Sequence, residues 1–552
     1  MHKTPKFIFI IGGVLSGIGK GITTASIALL IKSLGYKVTA IKIDPYISID
    51  AGTMRPAEHG EVFVTDDGGE IDQDIGHYER FLNQSLTKQH NITTGKVFAN
   101  VIANERQMKY GGRDASMFPD VINEIKRMLI KPLKDEEVVL VEIGGTTGDL
   151  ENQPFLHAAR ELGREYPSAY VLVTFLPFLK NVGELKTKPT QHAVAHLRET
   201  GIFPDFIITR GEIAIDHPRI ETIATRSFID PDHIIDNPNV KNIYEIPLNL
   251  EKAKIAEKIL HLFDLKPREK DLHQWKAFVA KTDLSKNPVT IALVGKYTKH
   301  GRDLHKDVYI SVLEALTHAA AFSQKALRIV PIDSSDLEKH GTKPLRKIDP
   351  DGIVVPQGWG SRGVEGKILA SRFAREQKIP YLGLCFGMQL ATVEFARNVV
   401  GLKNANSEEV NPKTAHPVIH IMPDQKEYLK KHQYGGTIRL GSWPCVVKKA
   451  TILHDLYRQW GNGINRMKNG TIEERHRHRY EVNNKILAKL TKKGYVVSGM
   501  SPDGKLVEAM ELRGGLHPFF LGTQFHPEYK SRPFCPHPIF IGFIKQAAKS
   551  SP

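Results

Sequence analysis

Cysteine is almost absent from this chain. Only Cys385, Cys445 and Cys535 occur in 552 residues. The odd number and the lack of paired spacing argue against a disulfide framework or a zinc site and leave room for a lone reactive thiol. No apolar run is long enough to span a bilayer, and no low-complexity tract breaks the pattern, so no membrane partner is expected. Met1 to Lys6 is polar and leads straight into an apolar stretch, without the regions of a secretory leader, which makes a cytoplasmic location the expectation. Acidic residues are outnumbered, 61 against 76 Lys and Arg, for a formal charge of +15, and such an excess favours polyanionic partners. Helix-turn-helix, zinc-finger and RNP-like aromatic patterns are missing, so nucleoside triphosphates rather than nucleic acid are the expected polyanions.

What is present is ordinary globular composition, 41% hydrophobic and 25% charged, in a chain too long for one compact core. An apolar run from Phe7 to Ile11 meets a glycine-rich turn, then a helical stretch from about Ile22 to Leu34 that stops at Gly35. Further apolar runs, 37–43, 138–143, 170–175 and 205–208, alternate with helical segments and predict a mostly parallel sheet covered on both faces. Residues 267–288 are polar and lysine-rich apart from a short helical stretch near Trp275 to Val279, and read as a linker. A second series of strands, 289–294, 352–355, 381–384 and 519–525, predicts another α/β domain. The expected fold is therefore two doubly wound, mostly parallel-sheet domains, 1–266 and 289–552.

In the second half, Gly383-Leu384-Cys385-Phe386-Gly387 lies between an apolar strand and a helix. This is a nucleophile elbow carrying cysteine: glycines flank a tight strand-to-helix turn, and a helix amino terminus favours a thiolate. About 140 residues later, Gln524-Phe525-His526-Pro527-Glu528 places a histidine that can take the thiol proton two residues before a carboxylate that can orient it. Alone, either motif is commonly a buried cysteine or a satisfied histidine. Together they resemble the class I glutamine amidotransferases, and the resemblance implies Cys385 as nucleophile, His526 as base and Glu528 as orienter. It also implies glutamine contacts from Gly358, Phe386, Gly387, Met388 and Gln389, with Phe386 and Met388 offering backbone N–H groups.

In the first half, the loop Gly12 to Gly21 follows a strand and opens a helix, where backbone N–H groups can converge on phosphate oxygens. It departs from a strict Walker A pattern, because five residues separate Gly13 from Gly19 and Gly21 follows Lys20. Lys20 is the residue expected to reach a transferred phosphate. Asp74 and Glu142, on loops at strand ends, are a pair of hard oxygen ligands suited to magnesium held against a triphosphate.

The segments Asp44-Pro45-Tyr46, 60–64, 76–81, 141–145 and Lys186-Thr187-Lys188-Pro189-Thr190-Gln191 carry a resemblance to the CTP synthase family over nearly the whole chain. That resemblance implies a P-loop-like synthetase (amidoligase) domain fused to a glutamine amidotransferase domain, aminating UTP to CTP with ammonia from glutamine. ATP would serve as co-substrate at Gly17, Ile18, Gly19, Lys20, Gly21, Ile22, Asp74, Arg210 and Val240, with magnesium on Asp74 and Glu142. UTP, or CTP as feedback inhibitor, would bind Ser16, Asp149, Leu150, Glu151 and 186–191. Glutamine would meet Glu409 and Arg479, the latter in the alternating segment Glu474 to Asn483. GTP as activator near Arg362 to Glu365, and a homotetramer with filaments as a further state, are implied in the same way.

Two departures stand out. Gln357 occupies a place where the family has glycine and where a backbone N–H helps form an oxyanion hole. A side chain forced to positive φ there costs of order 1 kcal/mol, so weakened glutamine use with free ammonia still accepted is the expectation. Thr222 stands where the family commonly has a lysine near the pyrimidine nucleotide, leaving that contact in doubt. Two alternatives stay open: a glutamine-dependent synthetase with another acceptor, and a non-catalytic, nucleotide-switched assembly protein.

Overall fold

The computed structural model describes residues 4–296, 299–300, 303–304, 306–422, 425–431 and 435–550. They form two compact units, one of residues 1–51 and 74–279, the other of 52–73 and 280–552.

The first unit is built on seven parallel strands: β1 (Lys6–Gly12), β2 (Val38–Asp44), β3 (Asn91–Thr93), β4 (Val138–Ile143), β5 (Ser168–Phe175), β6 (Phe206–Arg210) and β7 (Ile234–Asp236). Their spatial order is β7-β6-β5-β1-β4-β2-β3, with β1 at the centre between β4 and β5. Phe7 through Ile11 and Val138 through Ile143 are buried without a break. That explains why these strands read as continuous apolar runs: helices cover both faces of a parallel sheet. The helix Lys20–Ser33 follows β1 and is buried from Thr23 to Ile31.

The main sheet of the second unit has nine strands: β8 (Val289–Gly295), β9 (Leu327–Asp333), β10 (Gly352–Val355), β11 (Tyr381–Leu384), β12 (Arg439–Val447), β13 (Thr471–His478), β14 (Tyr495–Met500), β15 (Val507–Leu512) and β16 (Phe520–Thr523). Their order is β9-β8-β10-β11-β16-β15-β14-β12-β13. The five strands from β9 to β16 are parallel, while the remaining pairings are antiparallel. The doubly wound parallel core thus carries a mixed extension, and β11 and β16 sit side by side in the middle of the sheet.

Two features depart from the sequence expectation. Residues 267–279, read as the start of a linker, pack within the first unit. The helix His273–Thr282 buries Trp275 against Phe81 and Tyr244, with the indole N–H donating to the Tyr244 carbonyl at 3.0 Å. Residues 52–73, expected in the first domain, belong to the second unit. There a short hairpin, Phe63–Val64 with Glu70–Ile71, is tied to β13. Asp66 accepts from Arg475 at 2.7 Å and Glu70 from Arg477 at 2.8 Å. These arginines are buried, so without the two carboxylates each would be an unpaired buried cation.

Candidate functional site

In the second unit, β11 runs into the helix Phe386–Phe395, and Cys385 at the junction has φ 49° and ψ −101°. The flanking glycines are sterically required. A Cβ on Gly383 would lie 2.8 Å from the Gly387 carbonyl carbon, and one on Gly387 would be driven into the Val355 carbonyl oxygen. The positive φ of a cysteine is the strained geometry that lifts a nucleophile off the sheet. Cys385 N–H is fixed on Thr523 O of the adjacent β16 at 2.7 Å.

From the end of β16, His526 reaches the same place. Its Nδ1 is 2.7 Å from Glu528 Oε1, and its ring stacks on Tyr529 with centroids 5.0 Å apart. Its Nε2 is buried without a hydrogen-bond partner among the described residues, and Cys385 lines the same pocket. Burial alone would push the imidazole down; Glu528 and Cys385 outweigh it and raise it to about 10. An imidazole set between a thiol and a carboxylate can move the thiol proton and later return it. Gln524, not assigned a role from sequence, donates to Cys385 Sγ at 3.5 Å and accepts from Gln389 at 3.1 Å.

A narrow pocket at this point is lined by Gly358, Cys385, Phe386, Glu409, Arg479 and His526. It shares Trp359, Glu409 and Arg479 with a neighbouring cavity of about 290 Å³. The predicted residues Gly358, Phe386, Gln389, Glu409 and Arg479 therefore gather beside Cys385; Gly387 and Met388 lie in the following helical turn. Burial raises the Glu409 carboxyl, which accepts from Gly360 N–H at 2.8 Å. Arg479, buried, faces it with the opposite charge, so this end of the pocket offers one carboxylate and one guanidinium, complementary to an amino acid's two charged groups.

Gln357 does not have a positive φ, so the backbone strain expected of a side chain there is absent. Its side chain instead reaches Glu61 Oε1 at 3.3 Å, a contact sequence spacing could not suggest. Arg362 donates to the Lys296 carbonyl.

In the first unit, the loop after β1 is a cradle with Gly17 at φ 69° and Gly19 at φ 83°, both in the region where glycine is favoured. Lys20 opens the helix, is buried, and donates from Nζ to Gly145 O at 2.6 Å. Burial lowers its pKa while Glu142 pulls it back up. A Cβ on Gly12 would lie 2.5 Å from this ammonium, so glycine there makes room for the lysine. Thr147 N–H donates to Gly12 O at 3.1 Å, joining the loops after β1 and β4 at the carboxyl ends of adjacent parallel strands, where α/β sheets bind ligands. Asp149 accepts from Thr146 N–H at 2.6 Å beside Gly145, while Leu150 and Glu151 are exposed.

Arg210 lies about 3.7 Å from the position of a Cβ on Gly19 and donates to Asn237 O at 3.1 Å and Asn239 Oδ1 at 3.3 Å. It thereby holds the segment leading to Val240 near the cradle. Thr174, beside Gly13, bonds Thr190 at 3.0 Å, which ties the helix Lys188–Glu199 to the same end of the sheet. Ser16 and Lys188 are exposed, Lys186 pairs with Glu184, and Gln191 donates to Thr187 at 3.0 Å. Thr222 is exposed and turns its hydroxyl back to Pro218 O at 2.8 Å.

Asp74 and Glu142 come together as expected, with an unforeseen third member. Lys42 on β2 pairs with Asp74 and lies 2.7 Å from Glu142 Oε1, and Tyr78 donates to the other Glu142 oxygen. Burial, and then the neighbouring Asp74 charge, push the Glu142 carboxyl up. A Cβ on Gly21 would collide with the Asp74 carboxylate, so the glycine lets that carboxylate sit directly against the cradle. Two hard oxygen donors beside a phosphate-type cradle fit magnesium, which takes few protein ligands and completes its shell with phosphate and water. A lysine interrupting an apolar strand was the one sequence signal for Lys42.

The CTP synthase N-terminus family matches residues 6–265, and the class-I glutamine amidotransferase family matches residues 304–546. A CTP synthase of Caldanaerobacter subterraneus subsp. tengcongensis is 48% identical over 545 residues, covering 98% of each chain. One of Pyrococcus abyssi is 48% identical over 547 residues, again covering 98% of each. A solved glutaminase domain of Trypanosoma brucei CTPS with bound acivicin is 38% identical, covering 47% of this chain and 94% of that one, with a TM-score of 0.41. With both halves matched and near-complete relatives at this identity, the chain belongs to the CTP synthase family, glutamine-hydrolysing ligases of pyrimidine synthesis.

Proposed function

We propose that this enzyme phosphorylates the 4-oxygen of UTP with ATP and lets ammonia, released from glutamine at Cys385, displace the phosphate to give CTP. The chemistry demands both steps. An oxo group on a pyrimidine is a poor leaving group, and phosphate is a good one. The observation that carries this reading is Lys20: a buried ammonium rooted in a glycine cradle, with Asp74 and Glu142 close by.

The cradle residues Gly17 to Ile22, with Arg210 and Val240, would bind ATP, and Lys20 would follow the transferred phosphoryl group. Ser16, Asp149 to Glu151 and the 186–191 segment would take UTP or, as inhibitor, CTP. Asp74 and Glu142 would hold magnesium, which supplies positive charge against the triphosphate oxygens. In the second unit, His526 would take the Cys385 proton and return it to departing ammonia, oriented by Glu528. Glu409 and Arg479 would hold the glutamine amino and carboxylate groups. GTP activation, a homotetramer and a cytoplasmic location complete the proposal. Among the described residues, no helix is long and apolar enough to cross a membrane.

The test is to incubate the protein with UTP, ATP and magnesium, with either ammonia or glutamine, and follow CTP. CTP is expected from both nitrogen donors, and Lys20→Ala should abolish both reactions. Parent-level amination by that variant would refute the assignment.

A further inference from the structure

An oxyanion hole is made of peptide N–H groups, and a peptide can face either way. In this chain a buried lysine bonds two carbonyls of the loop beside Cys385. Lys367, in the helix Val364–Gln377 and wholly inaccessible, donates from Nζ to Pro356 O at 2.7 Å and to Gln357 O at 3.1 Å. Tyr309 OH adds a bond to Gln357 O at 3.4 Å. A trans peptide points its N–H opposite to its carbonyl, so with both carbonyls drawn to Lys367, the N–H groups of Gln357 and Gly358 face the other way. Neither N–H has a hydrogen-bond partner among the described residues. Both residues line the pocket that contains Cys385 and His526. A second lysine secures the rest of the loop: Lys296 donates to Trp359 O at 2.9 Å and to Gly360 O, with its ammonium over the Phe386 ring.

We propose that Lys367 is a positioning residue for glutamine hydrolysis, fixing the 356–358 peptides so that the Gln357 and Gly358 N–H groups are presented to the oxyanion formed when Cys385 attacks an amide. The proposal rests on the glutaminase reading above and deepens it. It accounts for the side chain at position 357: with the carbonyl tethered by Lys367 and no positive φ needed, glycine is not required there, and the Gln357 side chain is free to meet Glu61.

The test is Lys367→Met, which keeps the length of the side chain and removes its donor. Losing one oxyanion donor lowers kcat by roughly a hundredfold to a thousandfold. Freeing the loop, rather than deleting a donor, is expected to lower the kcat of glutamine hydrolysis by roughly ten- to a hundredfold with KM for glutamine little changed. Ammonia-supported CTP formation and alkylation of Cys385 by iodoacetamide, which needs no oxyanion hole, should match the parent. An unchanged glutamine kcat overturns the proposal, and so does a fall in kcat matched by an equal fall in alkylation, the mark of a merely structural role. If the methionine variant does not fold, Lys367→Gln is used. Its amide stops one bond short of the carbonyls, so it should show the same kcat-specific loss, and a parent-level kcat would overturn the proposal. A parent that hydrolyses no glutamine overturns the glutaminase reading and this proposal together. A parent that does, beside an unaltered Lys367→Met, overturns this proposal alone.

Discussion

Replacing Glu528 by Gln tests the electrostatics of the second unit while leaving its shape intact. The amide oxygen can still accept from His526 Nδ1, which now lies 2.7 Å from Glu528 Oε1, so the ring should stay in place. What is lost is charge. The imidazole is raised from 6.5 to about 10 although burial opposes the rise. At 1.36 kcal/mol per pH unit this is a preference of about 5 kcal/mol for the imidazolium. Without the carboxylate, only Cys385 is left to oppose burial, and the ring becomes a weaker base. Transition states that carry an imidazolium lose that support, and kcat for glutamine should fall by roughly three to four orders of magnitude, the scale for neutralising a triad carboxylate. Steady-state ammonia release from glutamine measures the loss, and ammonia-supported CTP formation by the same preparation serves as the control. A glutamine kcat within threefold of the parent's would refute the reasoning. An equal fall with free ammonia would show that the substitution had disturbed more than the Cys385 site.

Three further outcomes are expected. Gly387→Ala forces a Cβ onto the Val355 carbonyl, a backbone atom that cannot swing aside; thermal melting should show a loss of about 2–3 kcal/mol, with glutamine use falling before ammonia use. Lys42→Met leaves Asp74 and Glu142 facing one another without their shared cation. It should cost about 3 kcal/mol in magnesium-free buffer, and added magnesium should raise the variant's Tm more than the parent's. Glu508 is buried beside Arg439 and its carboxyl is raised from 4.5 to about 7, chiefly by burial. Because the folded state holds that proton more tightly than the unfolded chain, the contribution is complete below pH 4.5 and lost as pH rises through 7, on the order of 3 kcal/mol. Tm of Glu508→Gln should therefore fall less than the parent's between pH 5 and 7.5.

What could be read from the sequence was what local chain geometry dictates. Gly17, Gly19 and the pair around Cys385 are needed by the turns they sit in, so their spacing announces a cradle and an elbow. Apolar runs announce the parallel strands because those strands are buried on both faces. Glu474 to Asn483 shows where pattern misleads. Its alternation suits a strand, and β13 is one, but Arg475, His476, Arg477 and His478 are all buried, since the hairpin of residues 52–73 supplies carboxylates from some 400 positions away. Lys42, Lys296 and Lys367 were missed for a related reason. Each looks like a solvated cation until distant carboxylates or carbonyls converge on it. Trp275 likewise turned an apparent linker into packed structure through partners at Phe81 and Tyr244.

The most direct measurement follows the oxygen that must leave. UTP labelled with oxygen-18 at position 4 is incubated with the enzyme, ATP, magnesium and ammonia, and the CTP and inorganic phosphate are analysed by mass spectrometry. Activation by phosphorylation predicts one labelled oxygen in phosphate for each CTP formed. CTP accompanied by label in water and none in phosphate would contradict it.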